Sequence, residues 1–330
     1  MEDPISKTLR TIVIPGNLTV SDVLETVGCV DAVVSGSPDR RVRAIADINC
    51  ETSRDALGFC STRDDEEARA RVRGSRLQTV FCRPRVAAQA IQGKTLIGVH
   101  NPRLAFIMAS RLVARGDRAR SRISDRACVA PSASLASGVE IGPNATVGED
   151  CVIGDATRIH ASVVLHAHTR IGARCEIQSG AVLGADGFGF ERDANGMLHR
   201  FPHYGGIVVG DDVEIGACAC IHRGGFGDTI IGAGTKIDAG AYVAHNVEVG
   251  RDCMIMAQTV LCGSSRIGNG VEISPGAIVR DKIYIGDGAR VGLGAVVVKD
   301  VGPGETVIGM PARPQQEASG VSSERCDGWT

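Results

Sequence analysis

From Ile123 onward, branched aliphatic residues recur every six positions: Ile123, Val129, Leu135, Ile141, Val147, Ile153, Ile159, Leu165, Ile171, Ile177 and Leu183 follow without a miss. The series resumes at Val209, Ile215 and Ile221. It then runs from Ile231 through Ile237, Val243, Val249, Ile255, Leu261, Ile267, Ile273, Val279, Ile285 and Val291 to Val297. The position four after each aliphatic is small or modestly apolar, as at Ala127, Ala133, Val139, Ala145 and Cys151. The position directly after it is often glycine, as at Gly142, Gly154 and Gly232. A period of six fits neither a helix of 3.6 residues per turn nor an alternating strand. It fits a short strand followed by a turn, with the aliphatic and the small residue both pointing inward and the glycine supplying a turn conformation of positive φ. Three hexads close one triangular coil, so eighteen residues separate positions one rung apart, and rungs stack at the ~4.8 Å spacing of neighbouring strands. The 26 hexads predict between eight and nine coils of a parallel β-helix. Cys151, Cys175 and Cys253 fall in the small inward slot and are read as core packing.

Residues 1–122 lack this period and predict a small α/β domain. Short strands are expected over Thr11–Pro15, Thr79–Cys82 and Thr95–Val99, with a helix over Asp22–Val27 headed by Ser21. Asn101 followed by Pro102 predicts a second helix start, ahead of the apolar run Leu104–Val113. The polar segment Arg115–Arg122 joins this domain to the repeat region at 123–312, and residues 313–330 form a polar tail.

Two interruptions break the repeat. The first, residues 184–206, reads GADGFGFERDANGMLHRFPHYGG and holds three of the seven phenylalanines, Phe188, Phe190 and Phe201, with Tyr204, His199 and His203. A β-helix ejects extra residues as a loop without breaking its stack, so such loops are where sites are built. The second interruption is four residues within Arg223–Thr229.

The formal charge of −2 exerts no general pull toward nucleic acid, but it hides an asymmetry. Residues 1–122 carry 20 Lys+Arg against 14 Asp+Glu, leaving 16 against 24 in the remainder. A basic front half suits a phosphate-bearing ligand, and equally a solvated Arg-rich surface. No run approaches the ~18 apolar residues of a spanning helix, and the first thirty residues lack a signal-peptide pattern. The twelve cysteines are scattered, without a CxxC pair, which predicts free thiols in a reducing cytoplasm.

An outward histidine beside a free backbone N–H on a neighbouring rung can pair a general base with an oxyanion donor. Of the eight histidines, His245 in AYVAHNVEVG is the best candidate base, at the third position of its hexad, where side chains leave the core. One coil on from His245 stands Gly263, whose missing side chain lets a substrate approach the backbone N–H. A zinc site on the same fold needs three converging histidines. The spacing of His160, His166, His168, His222 and His245 does not match a pair on one rung with a third across an interface, so no metal is assigned.

The motif aliphatic–Gly–x–x–small–x resembles that of the hexapeptide-repeat transferases, which implies a left-handed parallel β-helix. Within them, the segments IQSGAVLGADGFGF, VEIGACACIHRG, DTIIG and AHN, in that order, resemble the UDP-3-O-acylglucosamine N-acyltransferases of lipid A biosynthesis. The resemblance covers residues 123–312 well and the front domain loosely. It implies N-acyl transfer from an acyl carrier protein or CoA thioester to a nucleotide-linked amino sugar, with no tightly bound cofactor. It further implies His245 as general base, Asp238 as its acidic partner, Gly263 as oxyanion donor, and substrate contacts at His166, Gly187, Phe188, Phe190 and Asn246. The enzyme would be a homotrimer without nucleic-acid partners or stable membrane insertion. Departures accompany the match. His222 and Lys282 stand where the family has Asp and His. Phe59 is expected as the nucleobase-stacking ring, but Thr62 and Asp65 replace the Asn and Tyr that follow it. The ending KDVGPGETVIGMPARP and its short polar tail look more like sugar acetyltransferases that use acetyl-CoA, which keeps a short-chain paralogue for surface polysaccharide as the alternative.

Overall fold

In the computed structural model, which describes residues 11–29, 32–50, 53–112 and 122–309, the chain divides into two units after Asp117. The first unit is a six-stranded sheet with helices. Its elements in chain order are β1 (Thr11–Thr19), α1 (Val20–Val27), β2 (Val33–Ser35), β3 (Arg41–Ala46), β4 (Ala56–Phe59), α2 (Asp65–Gly74), β5 (Thr79–Cys82), α3 (Pro84–Ala87), β6 (Thr95–Gly98) and α4 (Pro102–Ser110). The sheet order is β1-β3-β4-β5-β6-β2, parallel from β3 to β6 and antiparallel at both edges.

Helix α1 begins two residues earlier than its sequence predicts. Thr19, not Ser21, is the cap: its hydroxyl accepts the Asp22 N–H, and the Asp22 carboxylate accepts the Thr19 N–H at 2.7 Å. This reciprocal box satisfies two of the donors that a helix start leaves open. Asn101 caps α4 as its sequence predicts, accepting the Leu104 N–H at 3.0 Å. The end of the predicted run at Val113 and the tail 313–330 lie outside the described residues.

The second unit is a parallel β-helix. Its two- to four-residue strands stack into three sheets of ten, nine and eight strands, here the first, second and third faces in the order the chain visits them from Arg122. The register repeats at eighteen residues, with Ile123 beside Ile141 and Ile141 beside Ile159. Across the first interruption the step lengthens, so Leu183 pairs with Ile221, and across the second Ile221 pairs with Val243. The stack stays continuous because both insertions leave it at the same corner.

The inward aliphatics form one column of core, in which Ile177, Ile215, Ile221 and Val243 are fully buried. Cys151, Cys175 and Cys253 lie within it and donate to backbone carbonyls, Cys253 to Gly268 at 3.0 Å. Burial pushes all three thiols above their ordinary pKa, which disfavours the reactive thiolate. Truncating Ile215 to alanine is expected to cost about 2–5 kcal/mol, because a rigid stack cannot close the cavity. Urea unfolding followed by circular dichroism measures this as a lower midpoint.

The repeat glycines do a different job from the one their turn position suggests. Except for Gly184 (φ 91°), where the first interruption begins, the glycines that follow the aliphatics are not in the positive-φ region; that conformation falls two residues later in the hexad, at Asn246 (φ 57°) and Lys282 (φ 59°) among others. The glycine is required by the rung above. A Cβ on Gly154 would stand 2.6 Å from the Gly172 carbonyl carbon, and one on Gly232 would stand 2.4 Å from the Gly250 oxygen.

The faces differ outside. The first carries charged ladders such as Arg158–Glu140 and Lys236–Glu214, the latter at 2.9 Å. The second presents Val164, Val182, Cys220, Tyr242, Val260 and Ile278 on successive rungs, with no charge among them.

Candidate active site

Both interruptions emerge from the corner that follows the second face. His166, His222, His245 and Gly263 stand on that corner, after Leu165, Ile221, Val243 and Leu261 respectively. The eighteen-residue step therefore brings His245 and Gly263 together. A Cβ on Gly263 would lie 2.9 Å from both Cε1 and Nε2 of His245, so the imidazole packs directly on the glycine. The Gly263 N–H has no acceptor among the described residues, whereas on the third face the N–H of Arg251 is capped at 2.9 Å by Asn269.

Asn246 orients the His245 ring. Its Oδ1 accepts the Gly225 N–H at 2.9 Å and its Nδ2 donates to the Gly227 carbonyl at 3.2 Å, which fixes which end of the amide is which. That same Oδ1 lies 3.2 Å from Nδ1 of His245. Only a protonated Nδ1 can donate to it, so a neutral ring held this way carries its lone pair on Nε2, the atom against Gly263. The second interruption thus braces the His245 ring through one side chain.

Asp238 does not reach His245 within the chain. It stands on the corner after the first face, exposed, with its carboxylate accepting the Ala239 N–H at 2.7 Å. A separation of seven residues carries the chain past one corner of the triangle to the next, so the two side chains diverge. The side chain that meets Nδ1 of His245 among the described residues is that of Asn246.

The first interruption folds over the corner. Gly187 is wedged between two rings: a Cβ there would lie 2.6 Å from Nε2 of His203 and 2.9 Å from Cβ and Cδ2 of His245. Phe188 and Phe190 pack together with ring centroids 5.0 Å apart, and Phe188 remains 81% exposed. They flank the site as an open apolar wall and do not line a closed pocket. Phe201, Phe226 and Tyr204 continue that wall by ring contacts of 5.8 and 5.9 Å. His222 Nδ1 donates to the Asp186 carbonyl at 2.6 Å and so ties the corner to the loop. His166 stands exposed on the same corner, two rungs before His222, with Gly184 close against its Cβ.

Sequence reasoning counted His203 only among the ring-bearing residues of its loop and gave it no place beside His245. Phe226 was also missed, because it lies in an interruption of only four residues. In the first unit, Phe59 ends β4 and is half-buried, with its ring centroid 4.9 Å from that of Phe106. Among the described residues no three His, Cys, Asp or Glu side chains converge as a metal site. No helix among them is long and apolar enough to cross a membrane.

A family profile described as bacterial transferase hexapeptide (six repeats) matches residues 150–185 and 228–263. The UDP-3-O-acylglucosamine N-acyltransferase of Caulobacter sp. (strain K31) is 46% identical over 144 residues, which are 44% of this chain and 42% of that protein. UDP-3-O-acylglucosamine N-acyltransferase 2 of Legionella pneumophila (strain Paris) is 37% identical over 145 residues, again 44% and 42%. The match thus spans less than half the length of these relatives. Among solved structures, the UDP-N-acetylglucosamine acyltransferase of Francisella novicida superposes with a TM-score of 0.52 at 26% identity, covering 56% of this chain and 66% of that one. The UDP-N-acetylglucosamine O-acyltransferase of Moraxella catarrhalis gives 0.50 at 29%, covering 57% and 71%. The repeats and these neighbours identify the second unit as a left-handed β-helix of the hexapeptide type.

Proposed function

We propose that the chain is an N-acyltransferase, moving an acyl group from a thioester to the amine of a nucleotide-activated amino sugar of the UDP-3-O-acylglucosamine type. The observation that carries this reading is the packing of the His245 ring against Gly263, which sets a lone pair beside an unpaired backbone N–H. Relatives named for this reaction match the same region.

In the step proposed, the substrate's amine nitrogen attacks the thioester carbonyl carbon and a C–N bond forms. Nε2 of His245 takes the proton that the nitrogen sheds, while the Gly263 N–H stabilises the oxyanion. The oxyanion collapses, the C–S bond breaks, and the leaving thiolate takes the proton back from His245. Imidazole is the side chain that can both take up and return a proton, which suits both transfers. The chemistry asks for no metal and no resident cofactor; the donor is an acyl carrier protein or a CoA thioester. The thiols of Cys151, Cys175 and Cys253, packed in the coil's core, fit a reducing cytoplasm.

Incubation with UDP- and dTDP-linked amino sugars, each against acetyl-CoA and a 3-hydroxyacyl carrier protein, tests the reading by mass spectrometry of the amide. Amide on a UDP-linked glucosamine from the carrier protein supports the lipid A type. Amide only from acetyl-CoA supports the short-chain paralogue, and no amide from any pair refutes both.

The uncharged second face is the surface proposed to bury itself in a homotrimer, since an outward ladder of Val182, Tyr242, Val260 and Ile278 gains from leaving water. Light scattering is expected to give the mass of three chains. The variant Val260→Glu, which places a charge at the centre of that ladder, is expected to give one.

A further inference from the structure

His203 lies where the first interruption returns to the coil, and its side chain is nearly sealed, with 6% of the residue exposed. Its Nδ1 is buried and has no hydrogen-bond partner among the described residues. Nothing but packing holds the ring. Nε2 presses on Gly187, Phe201 meets the ring edge-on at 5.8 Å, and the imidazole of His245 meets it at 5.4 Å with the planes 66° apart. A buried polar atom left unpaired calls for an explanation, and this one sits beside the candidate base.

We infer that His203 is a positioning residue for His245: its uncharged ring holds the Gly187 turn against the His245 imidazole, and a proton added to it forces the loop and the base apart. The inference rests on reading His245 as the base.

The chemistry of the contact supports it. A charge on the buried His203 ring would stand 5.4 Å from the His245 ring, and a positive charge on that neighbour would disfavour it further. Burial is the main influence keeping His203 below the ordinary imidazole pKa, and the neighbouring His245 adds to it. His222 acts weakly in the same direction. Asp186 opposes, as does the carbonyl of Phe201, which does not complete a hydrogen bond. As pH falls, His203 therefore stays neutral below the range where a solvated imidazole would charge. Once it does charge, its Nδ1 proton stands buried without a completed hydrogen bond, against the His245 ring. The cheapest relief is to swing the 184–206 excursion outward, which removes Gly187 from the face of His245 and opens the site to water.

The test is an NMR titration of the imidazole signals in the full chain, with no substrate, alongside kinetics. In the wild type, the His245 signals are expected to move in two steps as pH falls, the second coinciding with His203. In His203→Gln, which fills similar space and does not titrate, they should move in one step. The acid limb of kcat/KM should steepen from a slope of one to two in the wild type and hold at one in the variant. In His203→Ala, kcat should fall about tenfold or more with KM within twofold. A one-step His245 titration in the wild type itself overturns the inference, whether or not the variants fold. Undiminished kcat in His203→Ala overturns it as well. Should no acyl transfer be detected with any donor, the enzymatic reading fails, and the titration still decides whether the two rings are coupled.

Discussion

Replacing His245 by alanine is expected to lower acyl transfer by about 10²–10⁴-fold, the weight a general base usually carries. The loss should appear in kcat and kcat/KM together, because the ring acts on a proton that moves only as the tetrahedral intermediate forms. Folding should be unaffected, since the side chain leaves the core at the corner and its removal exposes only the wedge around Gly187. Steady-state kinetics with the productive donor and acceptor check this, and near wild-type turnover would refute the role of His245. His245→Gln separates shape from chemistry: it keeps a polar side chain on the Gly263 rung, removes the base, and should be as inactive as the alanine variant.

The second large effect is expected from one methyl group. In Gly263→Ala the new Cβ would stand 2.9 Å from Cε1 and Nε2 of His245, so the ring must move. The same methyl crowds the approach to the Gly263 N–H. Losing one oxyanion donor costs about 10²–10³ in kcat, and a displaced base adds to that. The backbone itself accepts alanine, because Gly263 is not among the residues of positive φ. Thermal unfolding should therefore shift little while activity collapses. A variant with less than a threefold loss in kcat would sink the claim that this glycine is kept free for the reaction. Gly232→Ala is the control in kind: its Cβ meets the backbone of the next rung, so it should damage stability and leave the chemistry untouched.

Much of this site could be read from spacing. Period six sets three hexads to a coil, and that alone placed Gly263 one rung from His245 on the same corner. The same arithmetic, followed strictly, argues against Asp238, which is seven residues from His245 and so stands at another corner. The resemblance assigns it to His245 as acidic partner, yet within the chain the contact to Nδ1 of His245 comes from Asn246. Asn246 was legible as part of the AHN motif, but its function was not: its amide is locked by Gly225 and Gly227, in an interruption whose folding no local pattern predicts. His203 was illegible for the same reason. It is 42 positions from His245 in the sequence, in a loop without periodicity, and only the return of that loop to its own corner brings the rings into contact.

The sequence by itself determined the parallel β-helix, the two ejected loops and the rung on which each repeat residue lies, because a strict repeat converts position along the chain directly into position along the stack. Tertiary structure alone decided which side chains of the irregular segments meet the base. It also decided why the repeat glycines are glycines: the neighbouring rung excludes a Cβ. Those contacts depend on the path of a loop and on the close approach of one coil to the next, and neither leaves a periodic trace in the order of residues.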